Sequence, residues 1–121
     1  CEGWRFTAAD CQADFALHGR LLVGPRVPLA EFADPAADLA ALHVDLFDGE
    51  RRVDSGDATI VLDGPLNALR LWVDARRTGS RAGDVVTTGT ITDAYPLAPG
   101  MSRRSVLSDT LLAGLTLRTI D

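Results

Sequence analysis

Asp10 and Asp14 stand four residues apart. On a helix that interval sets two carboxylates side by side. Such a pair can do general acid–base work, though a solvated helix face or a capping acid reads the same way. His18 follows closely and can exchange a proton near neutral pH, or serve only as a cation at a helix C-terminus. Arg5 carries the planar fork that pairs a carboxylate through two hydrogen bonds; an ordinary surface arginine is the alternative. Cys1 suggests an N-terminal nucleophile with the α-amine as base, against a processed or cloned terminus. Cys11 reads as core, and His43 alternates outward as a surface residue.

The rest of the composition narrows the chemistry. The chain has 121 residues, 46% hydrophobic and 24% charged, enough for one domain with a core. All 12 basic residues are arginine, so no lysine within the chain can form a Schiff base. The net charge of −5 offers no basic footprint for nucleic acid. No apolar run approaches the ~18 residues that span a membrane, and no signal peptide is visible. A cytoplasmic protein is expected. Cys1 and Cys11 match neither a zinc pattern nor a disulfide framework.

Several elements must position these residues. Thr7 is the expected N-cap of a helix over Ala8–Leu17, ended by Gly19. Arg20–Val23 reads as a short strand stopped by Gly24-Pro25, and Val27–Asp38 as an irregular surface loop. Leu39–Phe47 is an expected strand, Asp48-Gly49 a hairpin turn and Arg51–Val53 the return strand. Asp63-Gly64-Pro65 opens a helix with Leu66, Leu69, Val73 and Arg76 near one face, widened by Leu71 and Trp72, and Gly79 ends it. Asp84–Thr88 reads as a short buried strand. Val106–Leu107 and Leu111–Ile120 pair as final strands. The expected class is α+β and β-rich, one domain over residues 1–121.

Four stretches occur in an order that resembles a known family. They are Trp4-Arg5-Phe6 with Asp10 and Ala13-Asp14; Leu22-Val23-Gly24-Pro25; Gly64-Pro65-Leu66-Asn67-Ala68-Leu69 on the helix that carries Trp72; and Ala82-Gly83-Asp84-Val85-Val86-Thr87-Thr88-Gly89-Thr90, followed by Pro96 and Pro99-Gly100. Together they resemble the C-terminal half of a 2-keto-4-pentenoate hydratase of the fumarylacetoacetate hydrolase superfamily.

The resemblance implies a mixed β-roll with one long packed helix. It implies Mg²⁺ or Mn²⁺ held by carboxylates, and a 2-oxo acid hydrated, decarboxylated or cleaved through an enol. A hard cation takes oxygen ligands and stabilises enolate charge. It further implies that Thr88, Gly89 and Thr90 present N–H groups and hydroxyls to a substrate carboxylate or oxo group. The family's last metal-binding Glu would fall a few residues before Cys1, and Glu2 does not align with it. The chain itself therefore holds no metal ligand set or cofactor, and Mg²⁺ or Mn²⁺ would need carboxylates from a companion segment. Where the family carries Ala-Asp-Asn-x-Ser, this chain reads Ala13-Asp14-Phe15-Ala16-Leu17. Gly64 stands where the family often has His. Phe15 and Leu17, with Trp4 and Trp72, then suggest apolar lining for a substrate pocket, or simply core.

These readings point to a hydratase- or decarboxylase-like lyase for a 2-oxo acid, with Asp14, His18 and Asp10 as catalytic candidates and Arg5, Phe15, Leu17, Thr88, Gly89 and Thr90 as substrate-binding candidates. A metal-free cyclase of natural-product biosynthesis, which folds its substrate in an apolar pocket, is the alternative; a non-catalytic partner subunit is the third. A half-domain leaves sheet edges and apolar surface open, so a complementary N-terminal segment or chain, a homo-oligomer, or both is expected.

Overall fold

Thr7 begins the chain's first helix by a reciprocal cap. In the computed structural model, which describes residues 5–13, 19–75, 79–108 and 111–120, α1 spans Ala8–Ala13. The Thr7 hydroxyl accepts the Asp10 backbone N–H at 3.2 Å, and the Asp10 carboxylate accepts the Thr7 N–H at 2.7 Å. Each side chain satisfies a backbone donor that a helix start leaves orphaned. The expected continuation through Asp14–Leu17 lies outside the described residues.

The stretch expected to be an irregular loop contains two short helical elements. A single 3₁₀ turn covers Leu29–Glu31, and α2 spans Pro35–Ala40. Pro28 and Pro35 suggested breakage, yet Pro35 occupies the first helical turn, where its missing N–H costs nothing. Asp34 caps that helix, accepting from Ala36 N at 3.2 Å and Ala37 N at 3.1 Å. The helix takes Leu39 and Ala40 out of the expected first strand, so β1 is His43–Asp48.

β1 is the hub of the sheet. It pairs antiparallel with β2, Arg51–Asp57, through a two-residue turn at Gly49-Glu50. On its other side it pairs with β3, Ser102–Leu107, which in turn carries β4, Thr116–Arg118. The order is β2-β1-β3-β4, with every described pairing antiparallel. The expected return strand and final strands are thus present with shifted ends. A bulge between Leu46 and Phe47 leaves Val53 without a direct partner, which frees its carbonyl.

The helix α3, Pro65–Ala75, packs on α2 rather than on the open sheet face. Ala68 is buried, with Leu69 and Trp72 half-buried beside it, while Val73 and Leu71 are exposed. Its inward stripe therefore runs through Pro65, Ala68, Leu69 and Trp72, rotated from the expected Leu66–Leu69–Val73 line. The small Ala68 permits that close approach.

Among the described residues, the buried apolar side chains are Phe32, Leu42, Ala58, Val61 and Ala68. Two of them flank the end of the β1–β2 hairpin farthest from its turn. Leu42 immediately precedes β1, Ala58 immediately follows β2, and Ala58 N donates to Leu42 O at 2.8 Å.

Two expected strands are absent. Arg20–Val23 and Asp84–Thr88 adopt no ladder, and Val85 is 63% exposed rather than buried. Both have strand-forming residues, but β propensity expresses itself only against a neighbouring strand. Among the described residues, no hydrogen bond reaches the backbone of Arg20–Val23 or of Val85–Thr88. Among the same residues, no helix is long and apolar enough to cross a membrane.

Candidate functional site

The best-supported candidate lies where residues 88–91 pass over Val61 and Gly56. Gly89 has a φ of +132°, and a Cβ there would stand 3.1 Å from Val61 Cγ1. Glycine is required twice over, by backbone conformation and by the core valine beneath it. Next, the Ile91 carbonyl passes so close to Gly56 on β2 that any Cβ at Gly56 would collide with it. These two contacts fasten the segment at both ends.

The fastening leaves donors open. Among the described residues, the N–H groups of Thr88, Gly89 and Thr90 make no hydrogen bond. The Thr90 hydroxyl donates to Thr92 O at 2.6 Å, so towards a ligand its oxygen can act only as an acceptor. The Thr88 side chain is half-buried. Sequential free N–H groups are suited to a carboxylate or to a carbonyl oxygen gaining negative charge.

Beneath this segment the chain is strained. Leu62 and Asp63 have φ of +50° and +62°, directly after Val61. Left-handed backbone at consecutive non-glycine residues costs on the order of 1–2 kcal/mol each, and such strain gathers at functional sites. The turn is held by α3. Asn67 Nδ2 donates to Leu62 O at 2.8 Å, and Arg70 Nη2 donates to Asn67 Oδ1 at 3.0 Å. From sequence, Asp63-Gly64-Pro65 signals a helix start and not a strained turn. The cue to the turn is Asn67, two residues past Pro65 and placed to reach back over it.

Asp10 is occupied by Thr7, whose backbone N–H first and hydroxyl second hold its carboxyl below the ordinary range. Arg5 is exposed. Among the described residues, no hydrogen bond or ion pair joins Arg5 or Asp10 to Thr88–Thr90. Asp14, Phe15, Leu17 and His18 lie outside the described residues. Trp72 lines a cleft of about 260 Å³ with Leu69, Val73, Arg81 and Val86, between α3 and residues 80–86.

A separate ionic cluster occupies the outer face of the β1–β2 hairpin. His43 Nδ1 is 2.7 Å from Asp57 Oδ1, and its Nε2 is 3.6 Å from Asp45 Oδ1, which Arg52 Nη1 approaches to 3.0 Å. The Asp57 hydrogen bond, then the nearby carboxylate charges, raise the His43 pKa above its ordinary value. His43 is a partly exposed strand residue, as expected, but it is engaged on both ring nitrogens' sides.

Among the described residues, no group of three His, Cys, Asp or Glu side chains gathers closely enough to hold a metal ion. Those residues therefore do not by themselves fit the divalent cation that the resemblance implies.

No family model and no curated protein matches the chain. Among solved structures it is similar to the 4-oxalocrotonate decarboxylase from Pseudomonas putida G7, complexed with magnesium and adipate. The TM-score is 0.80 at 29% identity, over 98% of this chain and 44% of that one. That decarboxylase is of the fumarylacetoacetate hydrolase superfamily, so the likeness bears out the superfamily resemblance carried by the four sequence stretches. The chain spans less than half the length of the enzyme it matches.

Proposed function

We propose that this chain is the substrate-holding part of a hydratase- or decarboxylase-like lyase that acts on a 2-oxo acid through an enol. The observation that carries this reading is the row of open N–H groups at Thr88–Thr90, pinned over Val61 beside the strained Leu62–Asp63 turn. The N–H groups of Gly89 and Thr90 donate to the oxygen on which enolate charge develops. Donors fixed before the reaction need no reorganisation as that charge appears. Arg5 binds the substrate carboxylate. Asp14 and His18 exchange the proton at carbon, while Asp10 caps α1 together with Thr7. Phe15 and Leu17 exclude water, which favours decarboxylation or cleavage over hydration.

The metal carboxylates come from a companion segment, N-terminal in the complete mixed β-roll. The same segment gives Arg20–Val23 and Asp84–Thr88 the strand partners they lack. Its proper role is supported by surface area: the chain exposes 9330 Å², against the roughly 6,300 Å² expected for a folded monomer of this size. Val23, Ile60, Leu62 and Val85 are each more than half exposed. A homo-oligomer covers further apolar surface in the same way.

The metal-free cyclase reading draws on one observation, an apolar cleft of about 480 Å³ lined by Ala94, Tyr95, Pro96 and Leu97. Intact mass spectrometry of the purified protein, with metal analysis on the same sample, separates the two. The lyase reading expects a co-purifying polypeptide rich in Glu ligands and stoichiometric Mg²⁺ or Mn²⁺. A lone metal-free chain contradicts it.

A further inference from the structure

Arg103 lies on β3 with its side chain only 11% exposed. Its Nη1 is 3.0 Å from Asp48 Oδ2, an ion pair not aligned as a hydrogen bond. Among the described residues, its buried Nε has no acceptor and Nη2 reaches only the Pro96 carbonyl, at 3.4 Å. The guanidinium also stands 5.8 Å from the centroid of the Tyr95 ring. A buried arginine ordinarily fills its donors, and an unfilled one calls for an explanation.

The geometry of the fork sharpens the point. Nε and Nη2 form one edge of a guanidinium, the edge that takes a carboxylate side-on through two hydrogen bonds. Here Asp48 occupies the opposite side, at Nη1. The Nε–Nη2 edge is spent on one long contact to a carbonyl. That carbonyl belongs to Pro96, and the ring above belongs to Tyr95. Both line the apolar cleft formed by Ala94, Tyr95, Pro96 and Leu97. An apolar cleft backed by an underused cation is the usual composition of a small-molecule site.

We propose that the Ala94–Leu97 cleft binds a monocarboxylate with a compact apolar body, anchored through the Nε–Nη2 edge of Arg103. The ligand carboxylate replaces the Pro96 carbonyl on Nη2 and supplies the acceptor that Nε lacks. Its body packs on Tyr95, Pro96 and Leu97. The wall can yield because its ties are few. Asp93 N donates to the Asp54 carboxylate at 2.8 Å, and the Tyr95 hydroxyl donates to Val53 O at 3.2 Å. The site is distinct from Thr88–Thr90 and does not depend on the lyase reading.

Benzoate and benzamide are the probes, since they share a shape and differ in charge. Binding is followed by the Arg103 Nε–H resonance and by calorimetry. Benzoate should shift that resonance saturably and bind on the order of tenfold more tightly than benzamide. Arg103→Lys keeps the charge and loses the planar edge, so it should weaken benzoate by a similar factor. Leu97→Trp fills the cleft from its own wall and should abolish binding. Arg104→Lys lies on the opposite sheet face, where Arg104 stacks 4.3 Å from the Phe47 ring centroid, and should change nothing. Equal binding of the two probes, an unmoved Nε–H, or full affinity in Leu97→Trp overturns the proposal.

Discussion

His43 Nδ1 lies 2.7 Å from Asp57 Oδ1 and closes the end of the β1–β2 hairpin farthest from its turn. The bond sits one residue from Leu42 and one from Ala58, both in the buried cluster. The surface charges of the hairpin are therefore tied to the layer that supports Val61 and Gly89.

That tie sets a pH dependence. Asp57 raises the folded-state pKa of His43 above the ordinary 6.5. The stabilisation is fully present below the unfolded value and is lost as pH rises through the raised folded value. Imidazole resonances should titrate above 6.5 in the native protein, and Asp57→Asn should bring them down. Asp45, which faces the same ring from 3.6 Å and is itself paired with Arg52, should move the value less. An unchanged titration in Asp57→Asn would show that the contact does not persist in solution.

Gly89→Ala should cost about 1–3 kcal/mol, because the residue would hold φ near +132° over a core valine. Thermal unfolding measures the loss. Amide exchange should quicken at Val61, whose N–H is bonded to Ala58 O beneath the segment, before it quickens in β1. Stability equal to the parent would mean that the segment leaves Val61 freely.

Asn67→Ala should release the left-handed turn at Leu62 by removing its side-chain donor. A loss of roughly 1–2 kcal/mol follows from the unpaired carbonyl and the strain it restrains. Arg70→Ala should cost less, since Arg70 acts on the turn only through Asn67. Denaturant unfolding of the two variants checks that order.

Thr7→Ala should weaken α1 by about 1 kcal/mol of local helix stability, read by amide exchange at Ala8–Ala13. Asp10 contributes above its ordinary carboxyl range, and its share is lost as pH falls through the lowered folded value. Asp10→Asn should leave turnover of a 2-oxo acid intact if the residue only caps the helix. A large fall in turnover with α1 preserved would return Asp10 to the chemistry.

Local signals in the sequence located much of this fold. The Thr7 cap, the turn after Asp48 and the helix from Pro65 each follow from residues within a few positions of one another. What failed needed distant partners or the opposite sense of a familiar cue. Arg20–Val23 and Asp84–Thr88 have strand residues but no ladder to join among the described residues. Pro35 starts a helix because Asp34 caps it. The site divides the same way. Thr88–Thr90 were legible as a family motif. The Leu62–Asp63 strain was not, because left-handed leucine has no sequence signature. Arg103 and Arg104 alternate on β3, so one had to face inward, but only the sheet register shows which.

The most direct measurement is an ¹⁵N amide titration with 2-oxopentanoate, on the purified protein together with any polypeptide that accompanies it. Pentanoate, without the oxo group, is the control. Saturable shifts centred on Gly89 and Thr90, weaker with pentanoate and lost in Gly89→Ala, are the predicted result. Shifts elsewhere with Gly89 and Thr90 unmoved, or equal responses to the two acids, would contradict a substrate-holding role for this segment.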